Sequence, residues 1–507
     1  MDRNVSLVWG KDTLKSFIDR TTMYRLMLYY LLVLFVAALA ASAANYFSFS
    51  PLDLLWSAVV LIISAVLSNR LFANVFGAVT NHESVYITAL ILALIMSPIS
   101  YTDVSGSVIL IIVAIISSAS KYILAIRKKH IFNPAAIAIV FSAFVLGTPA
   151  TWWVAGNVAL LPFVLIGGLI VVYKLRKFDL VLAFFVSSFI TVAFISADPI
   201  ASIQATVLYS VFLFFAFVML TEPLTQPNTR VLRVVYGIFI GILFIQSPHI
   251  GSVYFSPELA LVTGNLLFYF VSPNWRYMLT FVERRQLAVG IYEYIFKSDR
   301  ILHFKPGQYL EWTLGKVPLD NRGNRRFFTI ASAPCLPAGR QNDNIVALGV
   351  RFYDKSSAFK QALAALAPGA VISASSLGGD FTMPEINKNK KLAFLAGGIG
   401  VTLFVSMARH CIKTNETRDA ILLYSSKSEE EVAYRDVFES ASRCGWRTVY
   451  RIGIIDAEYI KQSVPDYAER TFYISGPPGF VSAMKNLLIN LGVSRFNIKT
   501  DFFPGLV

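Results

Sequence analysis

Charge is what this chain has least of. Only 15% of its 507 residues are Asp, Glu, Lys or Arg, against 55% that are hydrophobic. A soluble domain carries about 25% charged residues. A disordered chain is therefore excluded and an entirely soluble one disfavoured. Cysteine is nearly absent: Cys335, Cys411 and Cys444 all lie in the second half, and none belongs to a Cys-x-x-Cys pair. Three cysteines are too few for a disulfide framework and suit a reducing compartment. They also fall short of the four ligands that an iron–sulfur cluster normally takes. Histidine is equally scarce, with His82, His130, His249, His303 and His410 making the whole set. Two haems stacked between helices need four axial histidines, and only the first three fall in the apolar half. No haem, iron–sulfur cluster or other metal site is expected. A cleaved signal-peptide layout is missing as well.

What is abundant is apolar sequence, and it sits in one half. Residues 1–275 hold 15 Lys and Arg and 10 Asp and Glu, while 276–507 hold the other 30 and 21. Ten apolar segments are read as candidate spans: 24–44, 53–69, 84–98, 106–126, 132–148, 154–173, 179–197, 204–221, 232–247 and 258–273. A full bilayer crossing takes about 20 such residues. The shorter segments are either broken helices lining an enclosed site or tilted helices shielded by neighbours. Basic residues cluster on alternate loops, at Arg20 and Arg25, Arg70, Arg127–Lys129, Lys174–Lys177, and Arg230 and Arg233. The intervening loops 45–52, 99–105, 149–153, 198–203 and 248–257 contain no Lys or Arg. This alternation places both termini, and everything after about 276, on the cytoplasmic side of an inner or plasma membrane. Contact of the basic module with anionic membrane lipid is compatible with that layout. No nucleic-acid partner is expected.

From about 285 the pattern changes to short β-rich runs and then to strand–helix alternation. Phe304-Lys-Pro-Gly-Gln-Tyr309 reads as a turn into a strand, followed by Arg326-Phe-Phe-Thr-Ile-Ala-Ser332. Val350-Arg351 closes another strand, and Ser356-Ser357 opens a helical stretch. Two hydroxyls there are either plain caps or the start of an anion site. Leu392–Ala396 is a buried-type strand leading into Gly397-Gly398-Ile-Gly400-Val-Thr402 and a helix. That is the context in which glycines let a backbone approach a pyrophosphate. Thr471–Ser475 with Gly476-Pro477-Pro478-Gly479 is a further strand and turn, and Thr500-Asp501-Phe502 lies near the end.

In this order the motifs resemble the ferredoxin–NAD(P)H reductase superfamily. The resemblance implies a β-barrel FAD-binding domain over 285–388 and an α/β NAD(P)-binding domain over 389–507. It implies that Arg326, Phe327, Phe328, Thr329, Arg351, Ser356 and Ser357 contact the flavin. Arg326 takes a phosphate, Phe328 packs on the ring in place of the usual Tyr, and Thr329 faces the flavin atom that receives hydride. Gly397, Gly398, Gly400 and Thr402 line the dinucleotide, and Gly476 and Pro477 shape the nicotinamide pocket. Ser475, where many members have Cys, and Phe502 join Thr329 as catalytic residues. Ser425, Ser426 and Lys427 favour a 2′-phosphate while Glu429–Glu431 oppose it, which leaves NADH and NADPH both open.

In the apolar half, His130-Ile-Phe-Asn133-Pro134-Ala135-Ala136, Asn81-His-Glu-Ser84 and Thr221-Glu222-Pro223-Leu-Thr225-Gln-Pro227 are similar to the NqrB/RnfD-like family of membrane proteins, which serve the sodium-pumping NADH:quinone oxidoreductase and the Rnf complex. Asn265 fits the same pattern. The resemblance covers roughly 20–275 and implies a polytopic helical membrane domain over 1–275, about ten spans in inverted repeats. It also implies a second flavin, FMN or riboflavin, or a quinone, held near Asn133, Thr221 and Thr225. Alternatively, Asn-Pro is simply a helix start, a place proline favours, and the two threonines are local caps. Thr206 in Ser202-Ile-Gln-Ala-Thr206 is either a covalent FMN attachment point or an ordinary cap. The expected protein takes hydride from NAD(P)H onto FAD and passes electrons to a membrane flavin or quinone, or to an extracytoplasmic redox protein. The other readings are a transporter with a redox-sensing module and a peripheral reductase that uses the spans as an anchor.

Overall fold

The computed structural model describes residues 17–18, 21–77, 82–126, 129–246, 249–250, 253–272, 276–315, 324–335, 344–354, 356–384 and 389–501. The chain divides into two compact units, Met1–Ser272 and Pro273–Leu506.

All ten apolar segments of the first unit become helical. They are α1 (Met23–Ala43), α2 (Pro51–Val75), α3 (His82–Ile95), α4 (Val104–Ile123), α5 (Pro134–Val145), α6 (Leu161–Leu175) and α7 (Phe178–Ile195), then the pair α8 (Pro199–Tyr209) and α9 (Phe212–Met219), and finally α10 (Arg230–Gln246) and α11 (Pro257–Val271). Their lengths differ from the expected ten crossings. Among the described residues only α1, α2, α4 and α7 are long and apolar enough to cross a membrane, with a fifth crossing if α8 and α9, bent by 67°, count as one. The others stop early for local reasons. Pro98 forbids continuation of α3, and Asn133-Pro134 and Ser256-Pro257 start α5 and α11 abruptly, each with a side-chain cap.

Two short stretches form the centre of this unit. Thr88–Met96 and 212–221 are buried at every position, as befits helices that are apolar all round. From Phe215 to Met219 the second becomes a π-helix. The α7–α10 crossing is close because Gly237 and Gly241 present no side chain. A Cβ at Gly237 would stand 2.7 Å from the Leu180 carbonyl oxygen, and one at Gly241 would collide with the Ser187 hydroxyl. Small residues four apart allow such backbone approach.

The second unit contains two sheets. The first comprises β1 (Tyr277–Ala288), β2 (Ile291–Ser298), β3 (Tyr309–Thr313), β4 (Arg325–Thr329), β5 (Ile345–Arg351) and β6 (Val371–Gly378), with the short helix α12 (Ala358–Ala364) between β5 and β6. It is antiparallel in the order β4-β3-β6-β1-β2-β5. Its first strand begins at Tyr277, ahead of the change in pattern near 285. A β-barrel was expected; among the described residues the outer strands β4 and β5 share no ladder, and just beyond β4 the Ala331 N–H donates to the Ala347 carbonyl at 2.8 Å. The second sheet comprises β7 (Leu392–Gly397), β8 (Ala420–Ser426), β9 (Trp446–Ile452), β10 (Thr471–Ser475) and β11 (Ile498–Thr500), interleaved with α13 (Thr402–Thr414), α14 (Arg435–Ala441), α15 (Ala457–Ser463) and α16 (Pro478–Asn490). All its ladders are parallel, in the order β9-β8-β7-β10-β11. The order reverses between β7 and β10, so the crevice outside their carboxyl ends is the switch point where such sheets bind ligands.

Candidate functional site

The switch point is built from glycine because two strand ends crowd there. A Cβ on Gly400 would lie 2.5 Å from the Gly476 nitrogen, and one on Gly397 would lie 2.9 Å from the Phe480 ring. Gly398 has φ +53 and open space on its Cβ side, with the Arg351 guanidinium 3.7 Å away. Beyond β7 a 3₁₀ turn, Gly398–Val401, enters α13, and beyond β10 the exposed Pro477 leads into α16 without a side-chain cap. Two helix starts thus face the same crevice, with a bare backbone that suits a phosphate. Thr402 does not offer its hydroxyl there. It is buried, and its Oγ1 donates to the Ile399 carbonyl at 3.2 Å.

Ser475 is fully buried at the end of β10, with Oγ 2.8 Å from the Gly400 carbonyl oxygen and 2.6 Å from Asp501 Oδ2. One hydroxyl proton serves these two acceptors in turn, so Ser475 ties the glycine turn to the chain after β11. Phe502 lies outside the described residues, as do Asn81, Arg127 and Lys128.

On the first sheet, Thr329 ends β4. It is 4% exposed, and among the described residues its Oγ1 has no hydrogen-bond partner. An unpaired buried hydroxyl costs about 1–3 kcal/mol. Arg326 and Phe328 lie on one face of β4, and both meet Phe359 of α12. The Arg326 guanidinium is 5.5 Å above that ring, and the Phe328 ring is 5.7 Å from it. Ser357 caps α12 through the Lys360 N–H, and Ser356 closes a turn on Tyr353. Part of Phe328 is consequently packed into the sheet's own core, and its remaining surface is what a ring could use. Phe327 faces the other way, edge-on to Tyr309 at 5.4 Å. The Arg351 Nη2 is 2.5 Å from Glu431 Oε1, and its Nη1 stands beside the Gly398 turn. Glu431, counted in the sequence against a 2′-phosphate, instead faces this arginine.

The structure also brings in residues that carry no motif. Glu293, Ser406, Arg409 and Tyr434 meet between the two sheets, with Arg409 2.7 Å from Glu293 and 5.4 Å above the Tyr434 ring. Along β2, Glu293 shares a face with Ile291, opposite Tyr294 and Phe296 of the first sheet's core, so alternation alone gave no signal for it.

In the helical unit the predicted ligand residues are used by the fold. The Asn133 Oδ1 accepts from the Ala135 and Ala136 N–H groups, its Nδ2 donates to the Met219 carbonyl at 3.2 Å, and its backbone N–H donates to Asn265 Oδ1 at 3.0 Å. A π-helix leaves carbonyls without their usual partners, and Asn133 satisfies the last of this one. The Thr221 hydroxyl donates to the Phe217 carbonyl, and that of Thr225 to Glu222 Oε2. Thr206 donates to the Ser202 carbonyl at 2.8 Å, an intrahelical bond, and lines a cavity of about 410 Å³ with Ser202, Ser210 and Phe244.

Residues 394–486 match the oxidoreductase NAD-binding domain family. Among characterised proteins, the chain is similar to the glycine betaine monooxygenase reductase subunit of Pseudomonas aeruginosa, 26% identical over 44% of this chain and 64% of that one. It is also similar to an NADPH oxidoreductase of Mycobacterium tuberculosis, 25% identical over 38% of this chain and 50% of that one. A flavohemoprotein of Oceanobacillus iheyensis is 27% identical over 27% of this chain and 37% of its own. The chain thus spans less than two thirds of the length of these relatives. A cytochrome P450 reductase from Amycolatopsis aligns structurally with TM-score 0.40 and 22% identity, covering 45% of this chain and 69% of that one.

Proposed function

We propose that the chain is a membrane-embedded NAD(P)H-dependent flavin oxidoreductase with FAD on the first sheet and the nicotinamide dinucleotide at the switch point. One observation carries this reading: a buried, unpartnered Thr329 hydroxyl ends β4 in the same unit as a glycine-built crevice. The donor set fits the two cofactors. Arg326 and the start of α12 would hold a pyrophosphate, Thr329 would supply a hydrogen bond to the flavin ring, and Gly397, Gly398, Gly400 and Gly476 would admit the dinucleotide backbone. When bound, FAD supplies an acceptor for two electrons that it can release singly. The chain's own part is orientation: Ser475 holds the Gly400 turn in place, and the buried surroundings of Thr329 keep water from its hydroxyl.

The acceptor belongs to this proposal too. The helical unit, read as NqrB/RnfD-like from its motifs at 81–84, 130–136 and 221–227, is proposed to pass electrons to a flavin or quinone in the inner or plasma membrane, or to a redox protein beyond it. The lysine and arginine alternation supports a cytoplasmic reductase module. A second redox group near Asn133, Thr221 and Thr225 belongs to the same proposal, although each of these side chains also bonds within the fold. The test is anaerobic titration of the purified full-length chain with NADH and NADPH, followed by extraction and identification of every flavin and quinone. Bleaching of bound flavin by either nucleotide is expected. A chain that is colourless after purification in added FAD overturns the reading.

A further inference from the structure

We infer that Arg409 and Glu293 are positioning residues that set the distance between the glycine turn and Thr329; this rests on the flavin oxidoreductase reading above. Helix α13 starts directly after the glycine turn, and Arg409 lies two turns along it. Its Nη1 donates to Glu293 Oε1 at 2.7 Å and to the Ala331 carbonyl at 3.2 Å, and its Nη2 donates to Glu293 Oε2 at 3.3 Å. One turn earlier, the Ser406 hydroxyl donates to the Ser332 carbonyl at 2.8 Å. Ala331 and Ser332 follow the end of β4 at Thr329 by two and three residues. The helix that carries the dinucleotide turn is therefore fastened to the peptides that follow the flavin-facing threonine.

The chemistry of the contact argues for geometry over bulk stability. Glu293 is 3% exposed, and burying a charge is costly enough that apolar packing would stabilise the contact as well or better. A two-pronged guanidinium–carboxylate pair supplies fixed direction. The facing surfaces are also cut to fit. A Cβ on Gly349 of β5 would stand 2.6 Å from both Thr402 Cγ2 and the Tyr434 hydroxyl, so only glycine lets the two sheets close to this separation. Tyr434 itself is held at φ +62, a left-handed conformation unusual for a bulky side chain. Hydride transfer needs donor and acceptor atoms about 3–3.5 Å apart, and a misplacement of about 1 Å costs on the order of 100-fold.

The experiment uses the full-length chain in detergent, with Arg409→Met, Glu293→Gln, Arg409→Lys and the swap Glu293→Arg with Arg409→Glu. Three quantities are measured: the anaerobic rate of flavin reduction, the NAD⁺ dissociation constant by calorimetry, and hydrogen exchange across 329–332 and 402–411. Arg409→Met and Glu293→Gln are expected to slow reduction about 10–100-fold and to raise exchange at both segments. The NAD⁺ dissociation constant is expected to stay within about threefold. Arg409→Lys should recover part of the rate, and the swap more than either of its halves alone. If Arg409→Met fails to fold, Ser406→Ala removes one bond and should slow reduction by about 2–10-fold. Reduction at the unmodified rate, or unchanged exchange, overturns the inference. So does loss of rate in step with loss of bound flavin, because that marks a merely structural role. A parent chain that binds no flavin sinks the functional reading first, whereas flavin reduced normally in the variants sinks the clamp alone.

Discussion

At the scale of single residues, the chain shows which polar groups are used up and which are not. Among the described residues Thr329 keeps a buried hydroxyl unpaired, whereas Asn133 spends its side chain on the fold. Thr329→Val should therefore leave thermal stability unchanged or slightly raised, since an unsatisfied group is removed. It should also slow flavin reduction by at least about 10-fold, read by anaerobic stopped-flow. Asn133→Leu should do the reverse: it leaves the Met219 carbonyl and the first N–H groups of α5 unpaired, at about 1–3 kcal/mol each, read as a lower melting temperature in detergent. Burial pushes the Cys411 thiol up to about 11. A thiol reagent at pH 8 should accordingly leave Cys411 unmodified in the native chain and modify it after denaturation, checked by mass spectrometry of the labelled peptides. Thr329 was legible in sequence because its motif is local. The contacts of Arg351 and Arg409 were not, because their partners Glu431 and Glu293 lie 80 and 116 residues away.

At the scale of elements, the parallel sheet was legible from its strand–glycine–helix succession, and its order places the crevice at the end of β7 and β10. Gly400→Ala should crowd Gly476 and cost on the order of 1–3 kcal/mol, with nucleotide affinity lost before flavin. The first sheet was legible as strands but not as an open or closed surface, since closure depends on whether its outer strands meet. The amino ends of β7 and β10 predict a pH dependence. The Arg470 side chain beside them holds the Asp466 carboxyl below the usual carboxylate range, with Lys391 adding to the effect. The sign follows directly: the stabilisation is present above the unfolded value of about 3.9 and is lost as pH falls through the folded one. Asp466→Asn should accordingly flatten the acid limb of a melting-temperature profile.

At the scale of the whole chain, composition and hydropathy were sufficient to separate an apolar helical part from a module with two sheets. They rest on local hydrophobicity, and a polar peptide is costly in an apolar setting unless a helix satisfies it. The same local signals marked ten helical segments and the glycine turns. They did not decide helix length, because proline and caps terminate helices within an apolar run. Nor did they decide which side chains are free to meet a ligand. That is a matter of tertiary structure: Asn133 became part of a π-helix lock, Arg351 an ion-pair partner, and Arg409 a clamp through residues far away in the chain. Sequence determined the elements and the class of chemistry because both follow from neighbours along the backbone. Only the tertiary structure decided which polar atoms remain unspent, because a hydrogen bond is settled by proximity in space.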